Sequence, residues 1–200
     1  MRNSDRYPLM LELKHTGERL ELRRFRNENG SLTLELKGSL PARSEGPPLH
    51  VHHREDEGGK VISGTVSALV DGKTVVAGPG ESVSFPRGCA HRWWNDGDEK
   101  LVFEGFATPL VDFDRYLQAV FEVVNAGPAG RPPLFYMAHV LRRHRRTQQV
   151  LIVPKPVQLL LFPIVIFIGT VLGKYRGTEW PGCPARCSGA PLVTSAEALP

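Results

Sequence analysis

The sequence predicts an all-β barrel of short antiparallel strands, followed by C-terminal α-helices. Three observations carry that prediction. Apolar and polar residues alternate over short runs, as in Leu32-Thr-Leu-Glu-Leu-Lys37, the pattern of a strand with one face buried. Turn signals punctuate these runs at close intervals: Asn27-Glu-Asn-Gly30, Asp71-Gly72, Gly78-Pro-Gly80 and Asn95-Asp-Gly-Asp98. Such spacing leaves no room for crossover helices between strands. Beyond Pro109 the periodicity changes to that of a helix.

Taken in order, residues 1–17 are polar with a short Leu9-Met-Leu11 cluster and read as a loosely ordered lead-in. Leu20, Leu22 and Phe25 open the first strand of a barrel expected over 18–108. Pro41 to Pro48 is a loop that delivers the chain to a histidine-rich strand. Thr65 to Val70 and Thr74 to Ala77 flank Asp71-Gly72, a hairpin signal. Val83 and Phe85 precede Pro86, and Leu101 to Phe106 closes the barrel.

Residues 109–149 are expected to form two amphipathic helices. In the first, Phe113, Tyr116, Leu117, Val120, Phe121 and Val124 share a face, with Asp112 at the N-cap and Gly127 beyond the end. That face should lie on the outside of the barrel. Leu134, Met137, Ala138 and Leu141 mark the second helix, which ends in Arg142-Arg-His-Arg-Arg146. Residues 150–175 hold the most hydrophobic stretch, Val157 to Leu172, uncharged and apolar on every side. It is expected to be a transmembrane helix, with the arginine cluster holding residues 1–150 on the cytoplasmic side. The alternative is a helix buried against the barrel or a second subunit of a homodimer, in a cytoplasmic protein. Residues 176–200 are polar and rich in Pro, Gly and Ala, and read as a disordered tail.

Composition narrows the function classes. The net charge of +4 is modest, and the arginine cluster supplies much of it. No aromatic platforms or recognition motifs accompany that cluster, which argues against nucleic-acid binding. Three cysteines, Cys89, Cys183 and Cys187, do not make a disulfide framework, although the last two could pair in an oxidising compartment.

The chemistry concentrates between His50 and Asn95. Strand alternation puts His50 and His52 on one face and turns Val51 and His53 to the other. Glu57 follows within a loop's reach and His91 lies on a distant strand. Three imidazoles and a carboxylate suit a divalent transition metal and leave positions open for water or substrate. Cys89 could be a soft ligand or an inert thiol. Trp93 shares the face of His91 and could line a substrate pocket or the core.

These residues resemble the paired motifs of the cupin superfamily. His50, His52, Glu57 and Gly64 fit its first motif, and Gly80, Pro86, Gly88, His91 and Asn95 fit its second. The resemblance covers roughly residues 18 to 108. It departs from the family at Ser44, where a glycine is usual and Gly46 stands instead, and at Gly58-Gly59, in place of aromatic residues. The glycine pair is expected to loosen its strand and widen the pocket mouth. The resemblance implies a double-stranded β-helix (jelly roll) with one metal, of which Fe, Mn, Ni and Zn are not distinguished by the ligands. It implies a small-molecule ligand, with a net positive centre favouring anionic oxygens. Oxygenase or isomerase chemistry is one reading. A non-catalytic sensor that binds a small ligand is the other.

Overall fold

The computed structural model describes residues 7–184. Its core is a pair of antiparallel sheets. The strands are β1 (Leu9–Glu12), β2 (Arg19–Arg26), β3 (Leu32–Leu40), β4 (His50–His52), β5 (Asp56–Ser63), β6 (Val66–Val70), β7 (Lys73–Ala77), β8 (Ser82–Phe85), β9 (His91–Trp94), β10 (Leu101–Thr108) and β11 (Gln148–Val150). One sheet runs β1-β2-β3-β10-β5-β8 and the other β11-β4-β9-β6-β7. Three helices follow β10: α1 (Phe113–Ala126), α2 (Leu134–His144) and α3 (Lys155–Val171).

Alternation explains the packing. Leu20 and Leu22 of β2 and Leu34 and Leu36 of β3 are buried together. Leu40, Val61, Val66 and Leu101 form a second apolar cluster between the sheets. Two expectations need revision at the N-terminal end. Leu9–Glu12 is a strand, paired with β2 from Leu9↔Leu22 to Glu12↔Arg19, so the sheet begins inside the segment read as a lead-in. The inward row of β2 continues through Arg24, not Phe25. Arg24 is tolerated there because its guanidinium reaches Asp114 in the first turn of α1.

The apolar face of α1 covers the barrel's interior rather than its outside. Phe113 and Phe121 belong to the same core as Leu22, Leu34 and Leu36. The helix therefore closes one end of the space between the sheets. Asp112 occupies the N-cap position without making a side-chain cap. Its carboxylate instead accepts a 2.6 Å bond from His144 Nδ1 at the end of α2. α2 buries Ala138 and Val140 and leaves Leu134 exposed. After α2 the chain returns as β11 along β4, with Gln148 opposite His52 and Val150 opposite His50.

The expected membrane span is not realised. α3 has 17 residues with Pro163 inside it, about 25 Å of helix against a hydrocarbon core of roughly 30 Å. No helix among the described residues is long and apolar enough to cross a membrane. The orientation inferred from the arginine cluster falls with the span. Nor is α3 a buried core helix: Phe162 and Gly169 are covered, whereas Leu160 and Phe167 are each 68% exposed. The chain then folds back, and Trp180 stacks on Tyr136 of α2, so Trp180, Gly182 and Cys183 are buried within the segment expected to be a disordered tail. Cys183 is buried and forms no disulfide among the described residues. Cys187 and the remainder of the tail lie outside the described residues.

Candidate metal centre

Three strands deliver the four side chains named from sequence. His50 and His52 come from β4, Glu57 from the start of β5, and His91 from β9, where it sits directly opposite His50. One ligand atom from each lies within 4.8 Å of all the others. His50 Nε2 is 3.1 Å from His52 Nε2. Glu57 Oε2 is 2.8 Å from His52 Nε2 and 3.3 Å from His91 Nε2. His52 and His91 are fully buried, and His50 and Glu57 are partly so.

The other nitrogen of each imidazole is committed elsewhere. His50 Nδ1 donates to Pro48 O at 2.7 Å, and His91 Nδ1 to Cys89 O at 3.1 Å. His52 Nδ1 meets Gln148 Oε1. All three partners are acceptors, so each ring carries its proton on Nδ1 and turns an Nε2 lone pair inward. Three lone pairs and a carboxylate facing one point suit a cation. On that ground the residues fit a divalent metal.

The electrostatics agree. Burial, with help from the other two imidazoles, pushes His50 down to about 3, which keeps it neutral and ready to donate a lone pair. Burial opposes ionisation of Glu57, but hydrogen bonds with His52 and His91 outweigh it and hold the carboxyl well below the usual range. His52 is also disfavoured as a cation by burial, yet contact with Glu57 leaves it raised.

Sequence reading missed the layer behind the four candidate ligands. Gln148 Nε2 donates to Glu55 Oε2 at 2.9 Å, and Glu55 Oε1 accepts from the backbone N–H groups of Val111 and Asp112 at 3.0 and 3.2 Å. Glu55 is fully buried. A chain of bonds thus runs from His52 through Gln148 and Glu55 to the start of α1. Gln148→Leu removes the acceptor that fixes the His52 tautomer. Metal affinity is expected to fall by about 10- to 100-fold, readable by competition with a chromophoric chelator, while the fold persists.

Other named residues divide clearly. His53 is exposed and bonds Gln149 at 3.0 Å, away from the cluster. Cys89 supplies its carbonyl and is no part of the cluster. Trp93 lies T-shaped on Phe103 at 5.1 Å and also lines the cavity described below. Asn95 is structural: its Nδ2 donates to the carbonyls of Pro41 and Glu99 at 2.9 and 2.8 Å. Gly46, displaced by two positions from the usual glycine, has φ +63, and a Cβ there would lie 2.1 Å from Trp93 O. The close approach required by the loop is thus met at a shifted position. Gly58 and Gly59 pair in register with Phe106 and Gly105, and the Phe106 ring packs over Gly58, so the strand is not loosened at the glycine pair.

The cluster opens on a cavity of about 430 Å³. His50 and Glu57 lie on its wall, and Leu20, Leu36, Phe113 and Phe121 make it largely apolar.

A family model described as Cupin domain matches residues 39–108. An oxidoreductase, IacF, from Pestalotiopsis fici is 40% identical over 79 residues, which are 38% of this chain and 39% of that protein. The alignment thus spans well under half the length of this curated relative. Among solved structures, KdgF from Halomonas sp. shares 16% identity over 57% of this chain and 97% of its own, with a TM-score of 0.44. A sugar phosphate isomerase of the cupin superfamily from Silicibacter pomeroyi shares 23% identity over 46% of this chain and 59% of its own, with a TM-score of 0.39. Residues 39–108 form a cupin domain, and helix α1 closes one end of its barrel.

Proposed function

We propose that His50, His52, Glu57 and His91 hold one divalent transition metal, and that the protein acts on a small molecule that presents an anionic oxygen to it. The observation that carries this reading is the convergence of three imidazoles, each with Nδ1 tied to an acceptor, with the Nε2 atoms of His52 and His91 against the Glu57 carboxylate and that of His50 against His52. When bound, such an ion supplies Lewis acidity or a position for dioxygen. Glu57 contributes a single negative charge, so the centre keeps net positive charge and favours carboxylates, enolates or phenolates. Phe85 stacks on His91 at 4.7 Å and Phe113 abuts His52 at 4.5 Å, which excludes water from the inner side of both rings.

Oxidative chemistry is favoured over isomerisation because the curated relative that shares this segment is named an oxidoreductase. A non-catalytic ligand-binding role is the second reading, since no separate general base stands among the four ligands. The test is metal analysis of protein purified without chelator, then dioxygen uptake by iron(II)-loaded protein with a panel of carboxylates and phenolates. About one ion per chain, the number a single four-donor site takes, and ligand-dependent uptake are expected. Metal with spectroscopically detected ligand binding but no turnover of any kind would favour the sensor. Protein free of metal, and unable to take it up, would end the metal reading and leave only ligand binding by an empty barrel.

A further inference from the structure

Two ionisable side chains stand on the inward row of β2, and they are treated differently. Arg24 is satisfied by Asp114. Glu18, just before the strand, is 7% exposed, and among the described residues nothing hydrogen-bonds or pairs with its carboxyl oxygens. Its backbone is fixed, since the carbonyl accepts from Leu13 N at 2.9 Å. The side chain lines the same cavity as His50 and Glu57. Its carboxyl oxygens open to the cavity and are not sealed in protein, so a polar group that enters the cavity can partner them.

The sheet register places Glu18 far from the metal centre. Glu57 pairs with Ala107, which pairs with Leu34, whereas Arg19, next to Glu18, pairs with Ser39. The stretch from Leu34 to Ser39 is roughly 16 Å of strand. The cavity thus has a cationic end at the proposed metal, an apolar middle, and one unpaired carboxyl at the far end.

We propose that Glu18 is a specificity-determining residue that hydrogen-bonds a neutral oxygen, hydroxyl or carbonyl, at the distal end of an elongated, mainly apolar ligand whose other end is anionic. This rests on the proposed function for the anionic end only. Burial pushes the Glu18 carboxyl up to about 7, so near neutrality both its forms are present. The acid donates to a carbonyl and the carboxylate accepts from a hydroxyl. No charged partner is needed at that end.

The probes are dodecanoate and 12-hydroxydodecanoate, which share length and carboxylate and differ only in the terminal hydroxyl. Binding is measured by calorimetry on the metal-loaded full chain, with metal content recorded for each variant. Wild type should bind the hydroxy acid at least about tenfold more tightly than the plain acid, the discrimination one buried hydrogen bond supplies. Glu18→Leu should erase that preference while retaining metal content and dodecanoate affinity, and Glu18→Gln should retain part of it. Equal preference in wild type and Glu18→Leu would overturn the proposal. So would failure of both acids to bind folded, metal-loaded wild type. Should Glu18→Leu not fold, the Gln variant decides, since a preference undiminished relative to wild type there would also overturn it. If the protein carries no metal yet still prefers the hydroxy acid through Glu18, the metal reading fails and the Glu18 assignment stands.

Discussion

Replacing His52 by alanine is expected to weaken metal binding beyond the roughly 10- to 100-fold that loss of an outer partner costs. His52 is fully buried, contacts Glu57 at 2.8 Å and anchors the Gln148–Glu55 chain, so its loss empties a ligand position and disconnects the layer behind it. Glu57→Gln is the sharper variant, because it keeps the shape and removes the only anionic donor of the cluster. His53→Ala should leave affinity unchanged, since that ring faces Gln149 on the outside. Folding should survive all three, because the apolar clusters around Leu22 and Leu101 do not involve these residues. Protons should compete with the metal in a defined direction. In the metal-free site burial opposes charge on His52, but Glu57 outweighs it and the pKa is raised above its ordinary value. A metal needs the neutral ring, so affinity should be flat well above that raised pKa and fall as pH drops through it. Chelator competition across roughly pH 5 to 8, with circular dichroism as the fold control, measures both effects. Equal metal content in wild type, His52→Ala and Glu57→Gln would remove the assignment.

Asp114→Ala is expected to cost about 3–5 kcal/mol, because it leaves the Arg24 charge inside the protein without its main counter-ion. The Asp114 side chain is 2% exposed and that of Arg24 10%. Arg24 Nε lies 2.6 Å from Asp114 Oδ2, and the Tyr7 hydroxyl donates to the same oxygen. For a chain of this size the loss corresponds to a fall of roughly 10 °C in Tm. The double change Arg24→Met with Asp114→Leu should recover most of it, since two apolar side chains need no counter-ion. Thermal unfolding of the two variants checks this. A single variant as stable as wild type would mean that the pair does not hold α1 to β2.

The convergence of His50, His52, Glu57 and His91 was legible because its logic is local. A period of two fixes which histidines share a face, and the Pro86–Gly88 turn returns the chain, with Gly88 N bonded to His52 O at 2.7 Å. Gln148 and Glu55 were not legible, since their roles depend on β11 pairing with β4 across two intervening helices. Arg24 was missed for a related reason. A charge at an inward position reads as the end of an apolar row until its partner, Asp114, is known. The stretch Val157–Leu172 misled differently: hydropathy alone does not register that helix α3 is only 17 residues long, with Pro163 inside it. The apolar face of α1 was identified from its period, but periodicity says nothing about which side of a barrel a helix will meet.

The pairing of β11 with β4 bears on how far the ligand-bearing segment is portable. All four metal-ligand candidates lie within residues 39–108, the part that matches the cupin family. The glutamine that orients His52 comes from residue 148, and the cavity wall from α1. Excised or grafted alone, the segment would carry the donors but lack the parts that aim and enclose them. The working unit extends at least to Val150, and transplanting this centre into another protein would have to move the return strand together with the barrel.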